Sequence, residues 1–171
     1  NYYNGNIPWV VIADITKAGK YISETEKHIS QTGLQNSSAK LFKKGTLLFA
    51  MYASIGKCTI SIVDMACNQA ILGIKTTDIN AEFLYYFLSF CEKNFILMGQ
   101  TGTQSNLNKE IVQDIDIPYP KAEEQTAIAT VLSDMDAEIE SLEQKKDKYI
   151  MIKQGMMQQL LTGKIRIYAN N

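Results

Sequence analysis

The sequence predicts an α+β chain: a small sheet, mixed or mostly antiparallel, under covering helices, followed by one long C-terminal coiled-coil-forming helix. Short runs of β-branched and other apolar residues, bounded by glycine and polar residues, recur between positions 7 and 75. Past Asn80, apolar residues fall at helical spacing. From Ile128, alternate steps of four and three meet Leu132, Met135, Ile139, Leu142, Lys146, Tyr149, Lys153, Met156 and Leu160, a heptad seam with eight apolar positions in ten. A helix over 123–161 would extend roughly 60 Å at ~1.5 Å per residue. Such a helix cannot bury its own seam, so a partner helix is implied.

Residues 7–13, IPWVVIA, read as a buried strand, with Pro8 at its start where a missing N–H does least harm. Residues 16–41 form a polar, mixed connection in which SETEKHIS fits a short helix, Ser23 capping and Glu26 completing the pattern. Connections of this length tend to be functional. From Gly45, TLLFAMYAS, KCTISIV and QAILGIK read as three strands, largely antiparallel. Asn80 caps a helix to about Met98 with Phe83, Leu84, Phe87, Leu88, Cys91 and Phe95 on the side that covers the sheet. A polar loop around TGTQSNLN follows, and Asn108 caps a short helix. A last strand is expected near Ile115–Ile117, ended by Pro118 and Pro120 before the long helix. The expected division is 1–120 globular and 121–171 helical.

The 171 residues carry a net charge of −1, which hides a gradient. Between Thr16 and Ile60, seven lysines oppose Glu24 and Glu26. From Ser61 to Pro120, three lysines oppose seven carboxylates, and residues 1–120 are neutral in sum. If the first segment occupies one face, it is an electrostatic footprint for a polyanion; scattered surface lysines would give the same count. On the long helix, Glu123, Glu124, Asp134, Asp136, Glu138, Glu140 and Glu143 precede Gln144, and Lys145, Lys146, Lys148, Lys153, Lys164 and Arg166 follow it. This order complements the helix dipole and sets acid opposite base in an antiparallel pair.

Several function classes lose their support. There is no glycine-rich phosphate cradle, HExxH, CxxC or GxSxG elbow, so a methyltransferase or nuclease centre is not expected in this chain. His28 is the only histidine, with no second ligand pattern, so no metal site is expected. Cys58, Cys67 and Cys91 are odd in number and unpaired in spacing, which fits reduced thiols in a cytoplasm. No apolar run approaches the ~20 residues of a membrane span, and no signal-peptide pattern opens the chain. The start at Asn1 rather than Met is expected of a piece of a longer protein. Lys17, Lys20, Lys27, Lys43 and Lys57, with Ser37, Ser38, Tyr52, Gln104 and Asn106 in polar stretches, are candidate DNA contacts, although such polar side chains also build turns and caps.

GNIPWV (5–10), ETEKHIS (24–30), NSSAKLFKKGTLLFAMYASIGK (36–57), NQAI (68–71), TGTQSNLN (101–108), IPYPKAEEQTAIATVLSDMD (117–136) and KQGMMQQLLTGKIR (153–166) together resemble the specificity subunit of type I restriction-modification systems. NQAI or GTLL alone is weak; the ordered set, running nearly the whole chain, is specific. Family members typically hold two target-recognition domains, each followed by a helical region, with the two long helices antiparallel. This sequence has one of each, so the resemblance implies the second, C-terminal half of a full subunit, a truncated piece, or a half-size subunit that dimerises.

The resemblance implies a non-catalytic reader of double-stranded DNA that recognises one half of a bipartite site. It implies methyltransferase (M) and restriction (R) subunits as partners, with S-adenosylmethionine, ATP and Mg bound by those subunits and no cofactor bound by this chain. Helix pairing through Ile128, Leu132, Met135, Ile139, Leu142, Tyr149, Met156 and Leu160, with a second copy or the other half, follows. About a centre at Gln144, Ile128 would face Leu160, Leu132 Met156, and Ile139 Tyr149, while Lys153 and Lys146 cover Met135 and Leu142 with their stems. Gly155 would mark a close approach of the helices. The competing reading is a coiled-coil adaptor that binds protein and has no sequence-specific DNA binding of its own.

Overall fold

The computed structural model describes residues 2–100 and 107–168. Its elements run β1 (Tyr3–Val10), α1 (Ile12–Lys17), β2 (Tyr21–Ile22), β3 (Lys27–Ile29), α2 (Gln31–Gln35), β4 (Lys40–Phe42), β5 (Leu47–Ala50), β6 (Cys58–Ser61), β7 (Met65–Cys67), β8 (Ile71–Ile74), α3 (Ala81–Phe90), α4 (Glu92–Gln100), α5 (Lys109–Gln113) and α6 (Ala122–Leu161). The fold class is the expected one, mixed sheet with helices and then one long helix. The strands form two four-stranded sheets rather than one, ordered β3-β1-β7-β4 and β2-β6-β5-β8. Each is mixed: β1–β7 and β2–β6 are parallel and the other neighbours antiparallel.

β5 explains how the layers stack. Successive side chains on a strand point to opposite faces, and all four of its residues are buried. Leu47 and Phe49 pack with Cys58, Ile60, Leu84, Leu88, Phe95, Leu107 and Val112, the helical side. Leu48 and Ala50 pack with Val10, Ile15, Ile22, Met65, Cys67 and Ile71, the side of the other sheet. A strand covered on both faces reads as a continuous apolar run, which is what TLLFAM is. Gly73 on β8 lets the sheets meet, because a Cβ there would overlap the Phe42 ring of β4.

Four local expectations fail. SETEKHIS is no helix: Lys27–Ile29 is strand β3, paired antiparallel with β1. Thr25 Oγ1 accepts from Trp9 N at 3.1 Å and Asp14 Oδ1 accepts from Glu26 N at 3.3 Å, so tertiary partners take the groups a helix would have used. The first strand starts earlier than expected and ends at Val10. It carries a bulge between Tyr3 and Ile7 where Asn4 has φ 60, a left-handed conformation that Asn tolerates. Ile12–Lys17 turns into α1 because the Asp14 carboxylate reaches back to Val11 N at 2.9 Å. Ile115–Ile117 forms no strand, and the helix expected to Met98 breaks at Cys91 between α3 and α4. The caps by Asn80 and Asn108 hold, each side chain accepting backbone N–H bonds of the first turn.

The chain divides into two compact units, Asn1–Ala129 and Thr130–Asn171. In the first, Gln125 of α6 is 2% exposed. Its Oε1 accepts from Asn80 N at 2.8 Å and its Nε2 donates to Pro120 O at 2.9 Å. Gln125→Ala is expected to lower the stability of this unit by about 1–3 kcal/mol, because Asn80 N and Pro120 O lose buried partners. Chemical denaturation of both proteins measures it, and an unchanged midpoint would contradict the clamp. In the second unit, α6 ends where Gly163 takes φ 72 and donates to Leu160 O at 3.2 Å, with Ile165 N reaching Gln159 O at 3.1 Å. A left-handed glycine just past the last turn satisfies carbonyls that the helix leaves open, which is the structural content of LLTGK.

Candidate nucleic-acid interface

The candidate lysines divide by their partners. Lys20 Nζ lies 3.5 Å from Glu82 Oε2 and 3.2 Å from Tyr86 Oη, over the rings of Tyr21 and Tyr86, with its side chain 14% exposed. Burial works against its charge, but the Tyr86 hydrogen bond and Glu82 outweigh it and raise its pKa. Lys43 Nζ is 2.7 Å from Asp64 and Lys57 Nζ 3.1 Å from Glu92. The Lys43 hydrogen bond, helped by Lys44 N, holds the Asp64 carboxyl below its usual range. Each of these three ion pairs joins a lysine of the basic segment to a carboxylate of the acidic segment, so folding offsets part of the charge gradient. Lys17 and Lys27 are exposed and have no ion pair among the described residues.

Two depressions flank the strip around Glu26. One, of about 520 Å³, is lined by Tyr3, Asn4, Gly5, Trp9, Glu26, Lys27 and His28. The other, of about 470 Å³, takes in Asp14, Lys17, Tyr21, Ser23, Glu24, Thr25 and Glu26. Lys17 and Lys27 therefore each share a depression with Glu26. Another depression, of about 330 Å³, has Ser38, Lys40, Asn68, Gln69 and Lys109 beside Phe42, Met51, Ile71 and Leu72 on its lining and, among the described residues, no carboxylate. Among the described candidates Ser38 is the one brought there; Lys40, Asn68, Gln69 and Lys109 were not singled out from sequence as contacts. Ser37 is exposed, its Oγ accepting from Ala39 N at 3.3 Å. Tyr52 is half-buried against the helical core. Gln104 and Asn106 lie outside the described residues; Leu107, just after them, is buried and donates to Met51 O at 3.0 Å.

On α6, Met135, Ile139 and Leu142 are 58%, 54% and 54% exposed, and Tyr149 and Met156 are exposed as well. Ile128, Leu132 and Leu160 are half-buried. Ile150, Met151, Ile152, Met157 and Leu161 are also exposed, so the apolar surface after Lys148 is wider than the two-position seam. The helical period beyond positions a and d carries that signal in the sequence. Gly155 has open space where its Cβ would lie.

Among the described residues, no group of three or more His, Cys, Asp or Glu stands close enough to hold a metal ion, and no helix is long and apolar enough to cross a membrane. Burial pushes the thiols up from an ordinary 9.0, Cys58 to about 11 and Cys67 to about 12. Both are protonated at neutral pH, which removes them as nucleophiles. Their raised values add stability below pH 9 that is lost as pH rises toward 11–12, where the unfolded thiols ionise first. Iodoacetamide at pH 8 is expected to leave Cys58 and Cys67 unmodified until denaturant unfolds the chain. Mass spectrometry of the native protein checks this, and rapid labelling at either site would contradict their burial.

Comparison with known proteins agrees with this architecture. The family model described as type I restriction modification DNA specificity domain matches residues 1–149. The type I restriction enzyme MjaIX specificity subunit of Methanocaldococcus jannaschii is 34% identical over 156 residues, covering 89% of this chain and 36% of that protein. The putative MjaX specificity subunit of the same organism is 29% identical, over 77% of this chain and 32% of that protein. Two solved structures share the fold. One, titled for complex assembly and conformational transition of the type I R-M system, has a TM-score of 0.72 at 17% identity and covers 93% of this chain and 39% of that one. The HsdS subunit from Thermoanaerobacter tengcongensis has a TM-score of 0.66 at 16% identity and covers 91% and 37%. The chain thus spans 32% to 39% of the length of these relatives. With the family model matched from the first strand into the long helix, the chain belongs to the family of type I restriction modification DNA specificity domains.

Proposed function

We propose that this chain is a non-catalytic DNA-reading half of a type I specificity subunit. Residues 1–120 read one half-site, and 121–171 pair with a second long helix, from another copy of the chain or from the other half of the same subunit. M and R subunits, carrying S-adenosylmethionine, ATP and Mg, would then methylate adenine and restrict at the bipartite site, in the cytoplasm. The observation that carries this is the family match running unbroken from the α/β unit into a helix whose apolar seam is exposed. Antiparallel pairing rests on the charge reversal at Gln144 and on the two-fold symmetry that such a pair permits.

The internal ion pairs of Lys20, Lys43 and Lys57 favour a second reading, a coiled-coil adaptor with no sequence-specific DNA binding of its own. Selection of duplexes from a random pool by the chain, with and without M subunits, separates the two. Enrichment of a defined half-site in either condition supports the reader. Its absence in both supports the adaptor.

A further inference from the structure

Beyond Leu161 the chain leaves α6 at Gly163 and runs on through Ile165, Ile167 and Tyr168, which are 50%, 78% and 82% exposed. Lys164 and Arg166 alternate with the isoleucines, and no carboxylate side chain follows Asp147. In an extended segment this alternation puts the isoleucines on one edge and the cations on the other.

A complementary surface lies on the α/β unit. A depression of about 310 Å³ between β8, α3, α5 and Ile115–Ile117 is lined by apolar residues apart from Lys109 and Gln113, among them Leu72, Ile74, Leu84 and Leu88. Ile117 precedes the first residue of α6 by five positions, and Gln125 ties that end of α6 to Asn80, the cap of α3. The depression therefore adjoins the root of the long helix. From Glu110 to Glu124 five carboxylates oppose Lys121 alone. Asp114, Asp116, Glu123 and Glu124 are exposed and have no ion pair among the described residues.

Register brings tail and depression together across two copies. In an antiparallel pair centred on Gln144, Leu161 of one copy lies opposite Ala127 of the other. The second helix continues past that level for only about 8 Å, from Ala127 to Ala122 at ~1.5 Å per residue. Residues 163–168 reach up to about 20 Å at ~3.3 Å per residue, far enough to pass the helix root. We infer that the tail of one copy docks in this depression on a second copy, Ile165 and Ile167 against the apolar lining and Lys164 and Arg166 beside the carboxylates of the helix root. Tail and depression belong to the same chain, so a two-fold pair makes the contact twice. This rests on the antiparallel helix pairing proposed above.

The test cross-links the full chain with a short bismaleimide. Copies carrying Ile167→Cys are mixed with differently tagged copies carrying Ile117→Cys. A second mixture, Leu142→Cys with Lys146→Cys, reports the helix register, and the unsubstituted chain sets the background from Cys91. All four positions are exposed in the single chain, so folding tolerates the replacements. Conjugates above background in both mixtures are the expected result. Conjugates in the 142–146 mixture alone overturn the docking of the tail and leave the helix pairing standing; none in either overturns the pairing and the docking with it. By sedimentation, the double variant Ile165→Ser, Ile167→Ser is expected to raise the dimer dissociation constant about tenfold to a hundredfold, because two isoleucines lose their burial. An unchanged constant overturns the docking as well.

Discussion

Insertion of seven residues into α6 at Gln144 is expected to lengthen the unread DNA between half-sites by about three base pairs and to leave each half-site sequence unchanged. Seven residues restore the apolar seam to its face and add roughly 10 Å of helix at ~1.5 Å per residue. Duplex DNA rises about 3.4 Å per base pair along each strand, hence the three-pair step. Two inserted residues would instead turn Tyr149, Met156 and Leu160 about 200° away from the line of Ile128, Met135 and Leu142 at ~3.6 residues per turn, and pairing should weaken. Site selection with the two variants measures both effects. Recovery of the original spacing from the seven-residue variant would reject the helix as a ruler. Gly155→Ala refines the picture, because nothing among the described residues opposes a Cβ there. The substitution should add about 1 kcal/mol of helix propensity, and a concurrent loss of helix pairing would locate the close approach.

The largest stability effect is expected of Phe49→Ala, a loss of about 3–5 kcal/mol. The side chain is fully buried at the centre of β5, with its ring centroid 5.4 Å from that of Phe95 in an edge-on arrangement of 84°. Truncation removes apolar area, leaves a cavity between sheet and helices, and ends an aromatic contact. Domains are commonly stable by only 5–15 kcal/mol, so the variant should unfold at much lower denaturant. Because Phe95 and Leu107 share this core and bracket residues 96–106 in sequence, DNA binding should fall with stability. A change below about 1 kcal/mol would show that Phe49 does not hold the layers together.

Strongly periodic features were legible from residue order alone. The heptad repeat marks α6, because a helix that finds its partner along one stripe repeats that stripe every seven residues. The Asn80 and Asn108 caps are local hydrogen bonds between residues two or three apart, so sequence spacing contains them whole. TLLFAM announced a strand, since burial on both faces removes polar residues from it.

Features that depend on remote pairing were not legible. The Ser23–Glu26 capping pattern yields to β1, whose backbone offers Lys27–Ile29 a ladder while Asp14 and Thr25 occupy neighbouring polar groups. The basic segment loses much of its charge to partners 62, 21 and 35 residues away, which no local pattern reports. Gln69 and Lys109 are 40 positions apart and meet on one surface only because β8 and α5 pack against the same core. Sequence by itself determined the fold class, the family and the long seam, all of which rest on contacts close in the chain or repeated along it. Tertiary structure alone decided the two-sheet stacking and the ion-paired lysines, because distant residues are brought together only when the apolar layers close.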